Sequence, residues 1–279
     1  MRRFEYFEPA TLGEATQILS AGGHVLAGGT DLLVEMKEQL RRVDRVVNIK
    51  KIPGMAGLTY DEREGLRIGA LVTAREVELS SIVKEKYSGL VQAVRELGSI
   101  QVRNRATIVG NVCRASPSAD TLPPLIADAA LAEIHGRTGT RKVLLEEFFT
   151  GPGKTVLGAD ELMTAIVLPP PAPRTGKVYI KHGRRKAMEL ATVGVAVSLT
   201  LNAEVRVVLG AVAPTPIRAR KAEEVLRGRK LNEELIEKAA QAAADESRPI
   251  SNVRASAGYR RDMVRVLTRR ALEQAMRCC

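Results

Sequence analysis

Apolar residues are spaced differently along three successive stretches of the chain, and the spacing predicts three kinds of structure. In the first, Ala15, Ile18 and Leu19 recur at helical intervals behind Thr11, a capping residue, and the run stops at Gly22-Gly23. Val25-Leu26-Ala27 then reads as a strand end. Asp31 opens a helix carried by Leu32, Leu33, Met36 and Leu40, and Val46-Val47-Asn48-Ile49 reads as a further strand. Strand and helix alternate, which predicts a small α/β unit over residues 1–55.

From Leu58 the pattern is mixed. It predicts a strand from Leu66 to Ala70, a turn capped by Thr73, one helix from about Ser81 to Leu97 and a short helix from Leu122 to Ala127. A hairpin follows, Ala130 to His135 with Arg141 to Leu145, and a strand from Leu162 to Leu168 closes a second unit over 56–170. Four prolines within Pro169 to Pro173 cannot pair inside a sheet and favour an extended linker. Beyond it come strands at Lys177 to His182, Thr192 to Leu201 and Glu204 to Ala213. Helices follow at about Ala219 to Arg227, Asn232 to Ala244 and Ala255 to Met276. Strands followed by helices predict an antiparallel sheet with helices over 171–279, so the expected fold class of the chain is α+β.

Two glycine-bearing segments interrupt this pattern and carry its chemistry. Ala27-Gly28-Gly29-Thr30-Asp31 lies between a strand end and a helix start, where free backbone N–H groups and the helix dipole favour an anion. Glycine lets the backbone approach a phosphate with no side chain between. The same residues also suit an ordinary turn with Asp31 as N-cap. In Thr107-Ile108-Val109-Gly110-Asn111, followed by Ser116-Pro117-Ser118-Ala119-Asp120, hydroxyl, amide and carboxylate groups crowd around one glycine. That segment suits a ligand with phosphates and sugar hydroxyls, or a buried turn that satisfies its own backbone.

Composition narrows the choice. With 45% hydrophobic and 27% charged residues among 279, the chain is an ordinary globular one, large enough to bury roughly three quarters of its unfolded surface. No apolar run approaches the roughly twenty residues of a membrane span, and Arg2-Arg3-Phe4-Glu5 is no signal core, so a cytoplasmic location is expected. A net charge of +11 raises nucleic acid as a partner. Against that, the 43 basic residues are interspersed with 32 acidic ones, and five Tyr, four Phe and no Trp leave few stacking platforms. Cys113, Cys278 and Cys279 contain no C-x-x-C pair and cannot ligate an iron–sulfur cluster, and the two terminal cysteines read as an accidental tail on a frayed helix. His24, His135 and His182 lack ligand spacing, so no metal site or catalytic triad is legible.

Taken together, the two segments are more specific than either alone. The Ala-Gly-Gly-Thr-Asp loop, the Gln101-Val102-Arg103-Asn104 approach to Thr-Ile-x-Gly-Asn, the Ser-Pro-Ser-Ala-Asp that follows, the opening Phe4 to Pro9 and the basic motif Lys181-His182-Gly183-Arg184-Arg185 occur in one order. In this the chain resembles the FAD-binding medium subunit of the molybdenum hydroxylases, the family of carbon monoxide dehydrogenase and xanthine dehydrogenase. The resemblance implies a two-part FAD-binding domain followed by a domain that closes over the flavin. It also implies that Ala27, Gly28, Gly29, Thr30 and Asp31, with Thr107, Ile108, Val109, Gly110 and Asn111, wrap the diphosphate of a non-covalent FAD. Asp120 matches a carboxylate that bonds cofactor hydroxyls, Lys181 a lysine at the polar edge of the isoalloxazine, and Leu162 a residue against the flavin or adenine. Asp120 as a cap near Thr121 and Lys181 as a surface lysine are the plain readings of the same residues.

Further expectations follow from the resemblance. Electrons would arrive from [2Fe-2S] clusters on a small partner subunit and leave to NAD or a quinone. A molybdenum cofactor on a large subunit would carry out the substrate chemistry, in a dimer of heterotrimers, with no catalytic residue and no metal on this chain. Val109 departs from a family glycine, leaving Gly110 to carry the turn, and Leu190 stands where some relatives place an aromatic residue near the ring. The alternative is an autonomous flavin oxidoreductase of the vanillyl-alcohol oxidase-like class, which usually carries a larger substrate domain and often a His or Cys tether.

Overall fold

The computed structural model describes residues 2–201 and 204–279. At the N-terminus three strands form a parallel sheet in which Arg45–Asn48, the last in sequence, lies between Glu5–Phe7 and Gly23–Leu26. Parallel neighbours need crossovers, and the helices Leu12–Ser20 and Leu32–Lys37 supply them. Thr11 caps the first, its Oγ1 accepting from the Glu14 N–H. The second is shorter than the periodicity predicts: the chain turns through Gln39 at φ 58°, which leaves Leu40 outside the helix and exposed. Asp31 stands at its N-cap position but makes no capping hydrogen bond, so the plain-cap reading fails.

The middle of the chain forms a five-stranded antiparallel sheet in the order Leu58–Asp61, Gly65–Gly69, Leu162–Leu168, Leu131–Gly136, Gly139–Leu144. Leu162–Leu168 is its central strand and is almost entirely buried, which explains why every residue but Thr164 is apolar; the Thr164 hydroxyl bonds to Glu133. The single helix expected over Ser81 to Leu97 is two, Ser81–Lys86 and Ser88–Glu96, broken at Tyr87. Tyr87 is fully buried, and its hydroxyl donates to the Pro169 carbonyl at 2.9 Å. The proline segment is thus fastened to the preceding unit. Gly65, at φ +88°, lies so close under it that a Cβ there would overlap the Leu168 carbonyl.

After the prolines, Thr175–His182, Val193–Thr200, Val205–Gly210 and Ile217–Arg218 form an antiparallel meander. Alternation gives it two apolar faces. Val195, Val197, Val207 and Leu209 face the helices Arg220–Leu226, Glu233–Glu246 and Ala257–Arg277, packing with Ala239, Ala243, Leu272 and Ala275. Tyr179, Ala196 and Val208 point the other way and join the core of the preceding unit. The last helix does not fray into an accidental tail: Cys279 is partly buried, and its thiol donates to the Leu199 and Ala275 carbonyls.

Candidate functional site

The two glycine-bearing segments meet. Gly28 lies directly on the backbone of Arg105 and Ala106, and a Cβ on it would overlap the Arg105 carbonyl oxygen. Gly29, at φ +78°, makes the turn into the helix that begins at Leu32. Opposite, Thr107 is not part of an open loop. It is the N-cap of a helix, Ile108–Arg114, with its Oγ1 accepting from the Gly110 N–H at 3.0 Å. Gly110 therefore sits in a first helical turn rather than carrying a turn of its own, and a Cβ there would stand 2.8 Å from Thr107 Oγ1.

Between these two backbones lies a cleft of about 370 Å³, within the range of roughly 300–1,000 Å³ of small-molecule sites. Its walls bring together Ala27, Gly28, Gly29, Thr30, Asp31, Thr107, Val109, Gly110, Asn111 and Leu162. Three expected residues are not among them. Ile108 is wholly buried in the core; it belongs to the segment through its backbone alone. Asp120 and Lys181 form a buried pair at the joint with the C-terminal sheet.

That pair is assembled from four parts of the chain. Lys181 Nζ lies 3.0 Å from Asp120 Oδ2 and donates also to the carbonyls of Glu96 and Glu189, while Tyr179 Oη donates to Asp120 Oδ1 at 2.8 Å. The surface-lysine reading fails, because the Lys181 side chain is only 5% exposed. Burial pushes the Asp120 carboxyl up to about 6, against the opposing pull of Lys181 and the Tyr179 hydroxyl. Lys181 also ties the segment after His182 to the end of the helix Ser88–Glu96, and the next residue, Leu97, lines the cleft.

Sequence reasoning did not single out several wall residues. His24, Arg41 and Glu35 come from the N-terminal unit, and Leu97, Cys113, Arg114, Leu157 and Met163 from the next. No spacing marks them as a set, because the fold alone gathers them. Glu35 holds Arg114 Nη2 at 2.8 Å and Arg41 Nε at 3.3 Å, and Arg114 Nε is 3.6 Å from Asp31. His24 Nδ1 is buried without a hydrogen-bond partner among the described residues. Burial and the nearby Arg41 hold the imidazole below its ordinary range. Burial pushes the Cys113 thiol up to about 12, so it is a poor nucleophile. No group of His, Cys, Asp or Glu suited to a metal occurs among the described residues.

A family model described as the FAD binding domain in molybdopterin dehydrogenase matches residues 2–171, and one described as the CO dehydrogenase flavoprotein C-terminal domain matches 178–275. The chain belongs to this flavoprotein family. Along 97% of its length it is 33% identical to the xanthine dehydrogenase FAD-binding subunit of Escherichia coli O157:H7, covering 95% of that protein. It is likewise 33% identical to the carbon monoxide dehydrogenase medium chain of Hydrogenophaga pseudoflava, with 99% of this chain and 98% of the relative covered. A solved structure of carbon monoxide dehydrogenase from that organism superposes with a TM-score of 0.95, covering 100% of this chain and 99% of the other. The fold class is the α+β flavoprotein arrangement expected, the cofactor is FAD, and the protein is an oxidoreductase subunit. The cleft suits that cofactor. Two close-packed glycine backbones leave room for a diphosphate, apolar side chains such as Leu97, Leu162 and Met163 line it for ring systems, and His24 has a nitrogen to spare.

Proposed function

We propose that this cleft holds FAD non-covalently, and that the chain passes electrons from the iron–sulfur clusters of a small partner subunit to an external acceptor such as NAD or a quinone. The molybdenum cofactor then resides on a large third subunit, in a cytoplasmic dimer of heterotrimers. The observation that carries the reading is the direct packing of Gly28 on the Arg105–Ala106 backbone, which turns two separate glycine segments into the walls of one cleft. Bound FAD exchanges electrons singly or in pairs, the property needed between one-electron clusters and a two-electron acceptor.

The residues of this chain then bind and orient. Gly28, Gly29 and, in the first turn after Thr107, Val109 offer backbone N–H groups to the diphosphate, while Gly110 and Ile108 donate theirs to Thr107 and Val72; Thr30 and Asn111 add side-chain donors. Leu162 supports a ring. Lys181 acts by fixing Asp120 and the Glu189 carbonyl at the edge of the site, and the C-terminal sheet closes over it. In this reading residues 1–55 and 56–170 are the two halves of the FAD domain and 171–279 the closing domain. The protein purified without denaturant should show flavin absorption bands, or take up FAD on reconstitution. Gly28→Val should abolish uptake, since its side chain would force the two segments apart. A colourless chain that takes up no FAD would overturn the assignment.

A further inference from the structure

We infer that Arg114 is a ligand of the FAD diphosphate. The inference rests on the reading of the cleft as an FAD site and goes beyond its glycine backbones. Arg114 ends the helix Ile108–Arg114, and its guanidinium lines the cleft between Asp31, which closes the first glycine loop, and the turn at Gly153. Its Nη2 meets Glu35 at 2.8 Å and its Nε lies more loosely, at 3.6 Å, from Asp31, while its Nη1 meets no acceptor among the described residues. A guanidinium has five N–H donors in a planar fork that matches two phosphate oxygens.

The charges around it favour the same assignment. The carboxylates lining the cleft are Asp31, Glu35 and Glu161, and the arginines lining it are Arg41 and Arg114. Glu161 is held by both ends of its carboxylate to Arg141, which leaves it neutralised from outside the cleft. A diphosphate entering beside Asp31 and Glu35 needs a cation that its present partners can release. Arg114 meets that condition. If it turns to the ligand, the mostly buried Glu35 keeps Arg41 at 3.3 Å, and the Asp31 side chain, 56% exposed, is solvated by water. Arg41 does not meet it as well, since its charge also acts on the nearby imidazole of His24.

The test compares affinities of the apoprotein for FAD, by flavin fluorescence, and for ADP, which carries the same diphosphate without the flavin, by competition. Arg114→Met should weaken both about tenfold, the scale of one charge-assisted hydrogen bond, and should flatten the salt dependence of both. Arg114→Lys should recover only part, because it keeps the charge and loses the fork. FAD weakened with ADP unchanged would place Arg114 at the flavin end and overturn the proposal, as would unchanged affinity for both. Full recovery of affinity and of the apoprotein's thermal midpoint in Arg114→Lys would assign the residue to its Glu35 ion pair alone, and also overturn it. Wild-type protein that binds neither FAD nor ADP would instead refute the reading of the cleft itself.

Discussion

Asp120 and Lys181 show how burial changes what a residue can do. An exposed ion pair contributes little, whereas removing one partner of a buried pair strands a charge in a poorly solvated place. Lys181→Met and Asp120→Asn should therefore each destabilise the protein by about 3 kcal/mol in urea unfolding at about pH 7, because each leaves the other's charge buried without its partner. A loss well under about 1 kcal/mol in both would mean that the pair is solvated. The pH dependence is separable. Asp120 is raised in the folded protein to about 6, so its contribution is fully present below about pH 4, the ordinary aspartate value, and is lost as pH rises through 6. The difference in stability between wild type and Asp120→Asn should accordingly change across pH 4–6 and be flat above 7. A difference that changes only below pH 4 would show that Lys181 outweighs burial.

At the scale of elements, much was legible because a local rule decided it. Thr11 caps the helix that its spacing marks, whereas Thr73, expected to cap only a turn, opens the helix Ala74–Leu79 and completes a capping box with Glu76. The hairpin across 136–139 and the strands after the prolines fall where alternation puts them. Elements set by distant partners were not legible. Glu5–Phe7 has too few residues to show a period and becomes a strand only by pairing with Arg45–Asn48. The apolar run through Ser81 to Leu97 continues across Tyr87, yet the helix breaks there, and the ring enters the core to meet the proline segment. Tyr87→Phe should cost about 1 kcal/mol, the net value of one hydrogen bond. Unchanged stability on calorimetry would show that the proline segment is held by packing alone.

Over the whole molecule, the C-terminal sheet is joined to the preceding unit more firmly than a flexible linker would allow. Tyr179, Ala196 and Val208 enter the core of the preceding unit. Lys177 meets Asp128 at 2.6 Å with both side chains buried, and Arg218 and Arg220 converge on Glu146. The joint also contains Asp120 and Lys181, and Lys181 bonds the carbonyl of Glu96, whose neighbour Leu97 lines the cleft. Thermal unfolding of the apoprotein should therefore be a single cooperative transition. Two separate heat-absorption peaks would show that the C-terminal unit folds by itself.

The sequence alone determined which residues could approach an anion closely, because glycine's missing Cβ and a threonine cap are local properties that no partner alters. It also determined the order of helices and strands wherever one face of an element is buried, since burial imposes its period on the chain. Only the tertiary structure decided that Gly28 rests on Arg105, that His24, Arg41 and Arg114 line one cleft, and that Asp120 and Lys181 pair beside the cleft rather than within it. Those contacts join residues far apart in sequence. Their energies depend on burial and approach distance, and neither exists until the sheets have packed.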